Sequence, residues 1–194
     1  MTNIAVSRET KEKLDIFSQL LQQWNNKINL VSPHDIASLW QRHIEDSLQL
    51  VPHITPDSTI TDLGSGGGFP GLIIAIATGN PVTLIESDQR KAAFLREANR
   101  LCGAKATIMA KRIEDVTLAP SDIITARALA PLKTLLGWAY PLLKENGFCL
   151  FLKGQKTSEE LTNAANDWQI NYETFPSVTA RDGVLLKISE IRRV

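Results

Sequence analysis

Apolar residues recur at steps of three and four through the first fifty residues, and then the rhythm changes. In RETKEKLDIFSQLLQQWNNKINLV (8–31), Leu14, Phe17, Leu21, Trp24 and Ile28 form one stripe between charged and amide side chains. That spacing predicts an amphipathic helix. DIASLWQRHIEDSLQLV repeats it with Ile36, Leu39, Trp40, Ile44 and Leu48, and predicts a second helix after Pro33. Trp24 and Trp40 lie on these stripes, so core packing is their default role. PHITPDST then brings two prolines among turn-forming residues. A boundary between a helical extension (1–55) and a main domain (56–194) is expected there.

Beyond it, short apolar runs alternate with helical patterns. Strand TITDL leads to helix PGLIIAIAT, strand PVTLIES, helix QRKAAFLREANRLCG, strand ATIMAK and the short turn RIEDV. Strand SDIITAR, helix PLKTLLGWAYPLLKEN, strand GFCLFLKG and helix TSEELTNAANDW follow. INYETFPSV and GVLLKISEI close the chain as two strands joined by TARD. A parallel crossover needs a far longer connection, so these two form an antiparallel hairpin at a sheet edge. Strands alternating with helices predict an α/β fold with a doubly wound, mostly parallel sheet.

Composition narrows the class only a little. Hydrophobic residues make up 43% and charged residues 22% of 194, ordinary for a globular protein. The longest aliphatic run, Leu72–Ala77, is far too short to cross a bilayer, and the first residues lack the apolar stretch of a secretory signal. Cys102 and Cys149 stand alone among apolar neighbours and read as core thiols, which fits the cytoplasm. The three histidines are scattered at 34, 43 and 53, so no metal is expected. With 21 basic and 21 acidic residues the net charge is zero, which argues against a protein that coats nucleic acid. A local basic face remains compatible with it.

Chemistry concentrates at DLGSGGGFPG (62–71), where the first strand of the main domain meets a helix that Pro70 can open. Glycines there let a ligand lie on bare backbone, beyond the carboxyl ends of the strands. GGGFPG (66–71) formally satisfies the dinucleotide pattern GxGxxG, but it starts two residues late and sets Pro70 among the amides that would face a pyrophosphate. The better register is Asp62-Leu63-Gly64-Ser65-Gly66-Gly67-Gly68, an acid followed by alternating glycines. An acid ahead of the turn suits the ammonium of S-adenosylmethionine and repels a pyrophosphate. This pattern resembles the first motif of Rossmann-like methyltransferases, and makes Asp62, Ser65, Gly66 and Gly68 cofactor candidates. Glu86, followed by Ser87 at the end of the second strand, can hold both ribose hydroxyls in either cofactor family. Ile113 and Glu114, after the third, can hold adenine and its amine.

The acceptor is approached by elimination. Methyltransferases acting on exocyclic amines carry Asn/Asp-Pro-Pro-aromatic after the fourth strand, where this chain reads Thr125-Ala126-Arg127-Ala128. Attack on carbon-5 of a pyrimidine needs an activated thiolate, and neither cysteine has such a setting. A nucleophile with a free lone pair, such as guanine N7, needs only orientation and approach. Arg127, at a strand end, can fork onto a phosphate or the cofactor carboxylate, or form a surface ion pair. Arg42, His43 and Asp46 share a helix face, and spacing alone makes them a helical salt bridge with a histidine beside it. Lys153 ends a strand with an exposed amine, free for phosphate or merely solvated.

WNNKINLVS, RHIEDS, DLGSGGGFPG, SDIITARALA and LKG stand in this order along most of the chain. Together they resemble the bacterial RsmG (GidB) family of 16S rRNA guanine-N7 methyltransferases. The resemblance implies a class I Rossmann-like fold whose seven-stranded sheet ends in an antiparallel hairpin. It also implies S-adenosylmethionine contacts at Gly64, Phe69, Ile113, Glu114 and Arg127, with Glu86 at the ribose. Arg42, His43 and Lys153 become candidates for binding RNA or positioning the base, with Arg127, His43 and Arg42 nearest the chemistry. The implied substrate is a decoding-region loop of 16S rRNA within a small-subunit particle, met by a cytoplasmic monomer without membrane or metal. Two departures stand out: the chain is short, and Glu86 replaces the aspartate that relatives often carry. Either carboxylate can hold a ribose. Rival readings are a methyltransferase for another RNA base, a small molecule or a protein, a nicotinamide oxidoreductase, and a non-catalytic cofactor sensor.

Overall fold

The computed structural model describes residues 4–194. Helix α1 (Arg8–Asn25) opens at Ser7, whose hydroxyl accepts from the Thr10 amide, and buries Leu14, Phe17, Leu20 and Leu21. It ends three residues before Ile28, the last position of its stripe. The Asn25 side-chain oxygen accepts from the amides of Leu30 and Val31 at 2.8 and 3.0 Å, which folds the chain back and leaves Ile28 off the helix. The second expected helix is not a regular one either. It comprises a 3-10 turn Pro33–Ser38, a π-helical turn Trp40–Glu45 and the short α2 (Asp46–Leu48). The wider winding of the π turn re-aims the side chains that follow it.

Seven strands form one sheet: β1 (Ile60–Leu63), β2 (Val82–Ile85), β3 (Ala106–Met109), β4 (Ser121–Arg127), β5 (Leu143–Lys153), β6 (Trp168–Pro176) and β7 (Val184–Arg193). Their spatial order is β3-β2-β1-β4-β5-β7-β6. The first five run parallel, β7 is antiparallel to β5, and β6 forms the antiparallel edge. The mostly parallel sheet with its terminal hairpin is therefore as expected. Helices α3 (Gly71–Thr78) and α4 (Gln89–Cys102) share one apolar core with α1 on one face, while α5 (Leu132–Ala139) and α6 (Thr157–Ala164) cover the other. Helix α5 stops short of its expected end: Pro141 sits in a 3-10 turn (Tyr140–Leu142), and β5 begins at once.

Connections leave β1 and β4 toward opposite sides, so a crevice opens at the carboxyl ends of these neighbouring strands. Both cysteines are buried in the core. Trp24 packs its ring 5.8 Å from that of Phe94, and Trp40 leans on the same core. Among the described residues, no helix is long and apolar enough to cross a membrane.

Candidate active site

A cleft of about 1150 Å³ lies over the ends of β1, β4 and β5. Its floor is the glycine turn. Gly64, Gly66 and Gly68 have φ of +65°, +53° and +93°, a left-handed series that side chains strongly disfavour. A Cβ on Gly66 would meet nothing closer than 3.9 Å, so the backbone there is bare to the cleft. A Cβ on Gly64 would come within 2.5 Å of Leu129, whose side chain lies against the turn from the loop after β4. Gly68 faces inward toward Leu72.

Two carboxylates brace this turn from behind. Glu86 is only 8% exposed; one oxygen accepts from the Gly66 amide and the other from the Asp88 amide, both at 2.8 Å. Each oxygen keeps a further lone pair for an incoming hydroxyl. Asp62 is wholly buried beneath the turn and does not line the cleft. One of its oxygens accepts from the Thr125 hydroxyl at 2.7 Å, while the other has no partner. Burial pushes its pKa up to about 6, with the Thr125 bond and the Arg127 charge pulling the other way.

The wall is built around Arg127. Its guanidinium carbon sits 4.9 Å from the centroid of the Phe69 ring. One terminal nitrogen donates to His43 Nδ1 at 2.6 Å, the other to the Arg42 carbonyl and to Asp46 at 3.3 and 3.4 Å. An arginine has no lone pair to offer, so the His43 Nδ1 is the acceptor and the neutral ring carries its proton on Nε2. Burial first, then the Arg127 charge, hold the His43 pKa down to about 4. Its Nε2 points at Asp35 from 3.5 Å, too far for a good hydrogen bond, and is otherwise without a partner. The Arg127 pKa is lowered by burial, with Asp46, Asp62 and Asp35 pulling the other way.

Two side chains take other partners than their sequence positions suggest. Arg42 does not pair with Asp46 along the helix: the π turn sends it to Asp35 at 3.2 Å and frees Asp46 for Arg127. Lys153 is not an exposed amine. Its side chain is 7% exposed and is held by Glu160 at 2.6 Å and the Ala130 carbonyl at 3.0 Å.

Gly64, Ser65, Gly66, Phe69, Arg127, Arg42, His43 and Lys153 thus converge on one cleft. Ser87 lines a separate groove with Lys111, Arg112 and Asp115. Half-buried Ile113 and exposed Glu114 sit between the last two on a 3-10 turn, at the groove's edge. Thr179 and Glu160 are structural partners that the sequence pattern does not reveal, and Asp46 has other partners than its spacing suggests. Asp46 joins Arg127 to Thr179, whose hydroxyl donates to it at 2.7 Å from the β6–β7 loop, 133 residues away. Among the described residues, no group of three or more His, Cys, Asp or Glu is placed to hold a metal.

Five parallel strands, a left-handed glycine turn after the first and a carboxylate after the second define a Rossmann-like fold with an adenosine-cofactor site at its strand ends. The turn fits S-adenosylmethionine: bare backbone at Gly66, spare lone pairs on Glu86 and an unpartnered buried oxygen on Asp62. The same fold occurs in M. jannaschii TYW2, solved in complex with AdoMet, at a TM-score of 0.63 and 18% identity over 82% of this chain and 81% of that one. The family described as rRNA small subunit methyltransferase G, GidB, matches residues 10–184, and the chain belongs to it. The ribosomal RNA small subunit methyltransferase G of Gluconobacter oxydans is 67% identical over 189 residues, covering 97% of this chain and 98% of its own. That of Granulibacter bethesdensis is 50% identical over 190 residues, covering 97% and 89%.

Proposed function

We propose that the protein transfers a methyl group from S-adenosylmethionine to N7 of a guanine in 16S rRNA. The observation that carries this reading is the bare Gly66 backbone facing a cleft whose inner wall offers no free general base. His43 accepts from Arg127, Lys153 is paired with Glu160, and Asp46 takes donors from Arg127, Gln49 and Thr179. A cleft of this kind orients its acceptor rather than deprotonating it, and N7 needs no deprotonation.

When bound, the cofactor supplies an electrophilic methyl on its sulfonium. The chain's part is to hold and aim. Glu86 keeps the turn in shape and takes the ribose, with Ser87 beside it and Ile113 and Glu114 at the adenine. Asp62 acts on the ammonium through its field from beneath the turn, and Arg127 takes the carboxylate while Phe69 backs it. The purine enters over Arg127, His43 and Phe69. Arg42, whose side chain is 65% exposed, stands at the rim with exposed Lys156 and Arg181, where phosphate contacts set the register of the RNA.

Zero net charge favours an assembled small-subunit particle over naked RNA, because a particle offers shape as well as phosphate. Residues 1–55 serve as an extension carrying the Arg42–Asp46 wall, and the enzyme works as a cytoplasmic monomer. The test is transfer of labelled methyl to small subunits and to free 16S rRNA, followed by nucleoside mass spectrometry. The label is expected in N7-methylguanosine. Label in another nucleoside, or in small molecules alone, replaces this reading with one of its rivals.

A further inference from the structure

We propose that Lys153 and Glu160 form a clamp that positions the loop between β4 and α5, and that Lys153 is not an RNA phosphate ligand. The inference rests on reading the cleft as the methyl-transfer site. Lys153 Nζ lies 2.6 Å from Glu160 Oε2 and donates to the Ala130 carbonyl at 3.0 Å. The same Glu160 oxygen accepts from the Leu132 amide at 2.8 Å. One ion pair therefore grips the residues on both sides of Pro131, one by its carbonyl and one by its amide. The segment that it anchors runs back through Leu129 and Ala128 to Arg127, and all of these residues line the cleft.

Two features of that segment call for an anchor. Ala128 has φ of +46°, which a residue with a Cβ adopts only when its surroundings impose it. Leu129 rests against Gly64, within 2.5 Å of where a Cβ would stand. A loop free to relax Ala128 would lift Leu129 from the turn and swing the end of β4 that presents Arg127. A buried ion pair is weak support for stability, because desolvation offsets its attraction, but it can fix a geometry. Two of the three donor hydrogens on the Lys153 amine go to a carboxylate and a carbonyl inside the fold, and the side chain is only 7% exposed, which turns the charge inward.

The test uses the full chain without cofactor and reads hydrogen exchange across residues 126–134, which includes the Leu132 amide. Lys153→Met and Glu160→Ala are each expected to speed exchange there about tenfold, as loss of a charge-assisted bond implies, and the double variant to go little further. Binding of 16S rRNA, measured at two salt concentrations, is expected to stay within about twofold for Lys153→Met, with its salt slope unchanged. In turnover the loss is expected in kcat, with KM for RNA preserved. Unchanged exchange in folded Lys153→Met, or a salt slope lower by about one phosphate contact, overturns the proposal. If neither variant folds, Glu160→Gln decides: faster loop exchange supports the clamp and native exchange overturns it. Exchange is read without turnover, so a wild-type protein that methylates no RNA would sink the functional reading and leave the clamp standing.

Discussion

His43 should make the protein acid-sensitive in a way that one substitution removes. In the fold its pKa is held down to about 4, from an ordinary value of 6.5, by burial and by the facing Arg127 charge. The unfolded chain therefore takes up a proton in a range where the folded one does not. His43 thus contributes stability that is complete above about pH 6.5 and is lost as the pH falls toward 4. At pH 5 the proton stabilises the unfolded chain by about 2 kcal/mol and the folded one by almost nothing. The side chain is 12% exposed, so solvent screening takes little from this figure. Glutamine in its place still offers Arg127 an acceptor oxygen but does not titrate. The assay is urea unfolding of wild type and His43→Gln at pH 7.5 and pH 5. Wild type is expected to lose about 2 kcal/mol more than the variant, a difference of about 1 M in midpoint for an ordinary m-value. Asp62, whose raised pKa acts in the opposite sense, is common to both proteins and cancels in the comparison. Equal losses in the two proteins would refute the buried, arginine-facing imidazole.

Removing the Arg127 guanidinium (Arg127→Ala) should weaken binding of S-adenosylhomocysteine by roughly ten- to a hundredfold, the cost of one charge-assisted contact. Calorimetry reads this, and native affinity would separate Arg127 from the cofactor. Gly71→Ala inverts the usual helix preference for alanine, because its Cβ would fall 2.5 Å from Asp62 Cβ and from Leu84 Cδ2. It should destabilise by about 1–3 kcal/mol in chemical denaturation, and a native midpoint would contradict the packing of α3 on β1. Burial pushes the Cys102 thiol up to about 11 and Cys149 higher still, so a thiol reagent at pH 8 should label neither until the chain unfolds. Rapid labelling of the native protein would place a cysteine outside the core.

Much of the architecture is local information, and local information is legible in a sequence. The alternation of strands and helices, the turn-residue breaks and the short TARD link were enough for a mostly parallel sheet closed by an antiparallel pair. The glycine turn was legible for the same reason, since its positive φ values are a local demand. Where reading failed, a distant or cooperative interaction decided. The stripe through Ile28 looks helical until Asn25 captures the amides of Leu30 and Val31. Arg42 and Asp46 have ideal salt-bridge spacing, yet a π turn and an arginine 81 residues beyond Asp46 redirect both. Lys153 ends a strand as expected, but only the fold reveals Glu160 closing over it. No periodicity carries such information, because each contact depends on which strand ends lie side by side.

The most direct test of the central claim is a crystal structure grown with S-adenosylhomocysteine. Its methionine portion is expected along Gly64–Gly68, with the ribose hydroxyls on Glu86 and the carboxylate at Arg127. Finding it outside the cleft, or with its ribose away from Glu86, would contradict the glycine turn as the seat of the methyl donor.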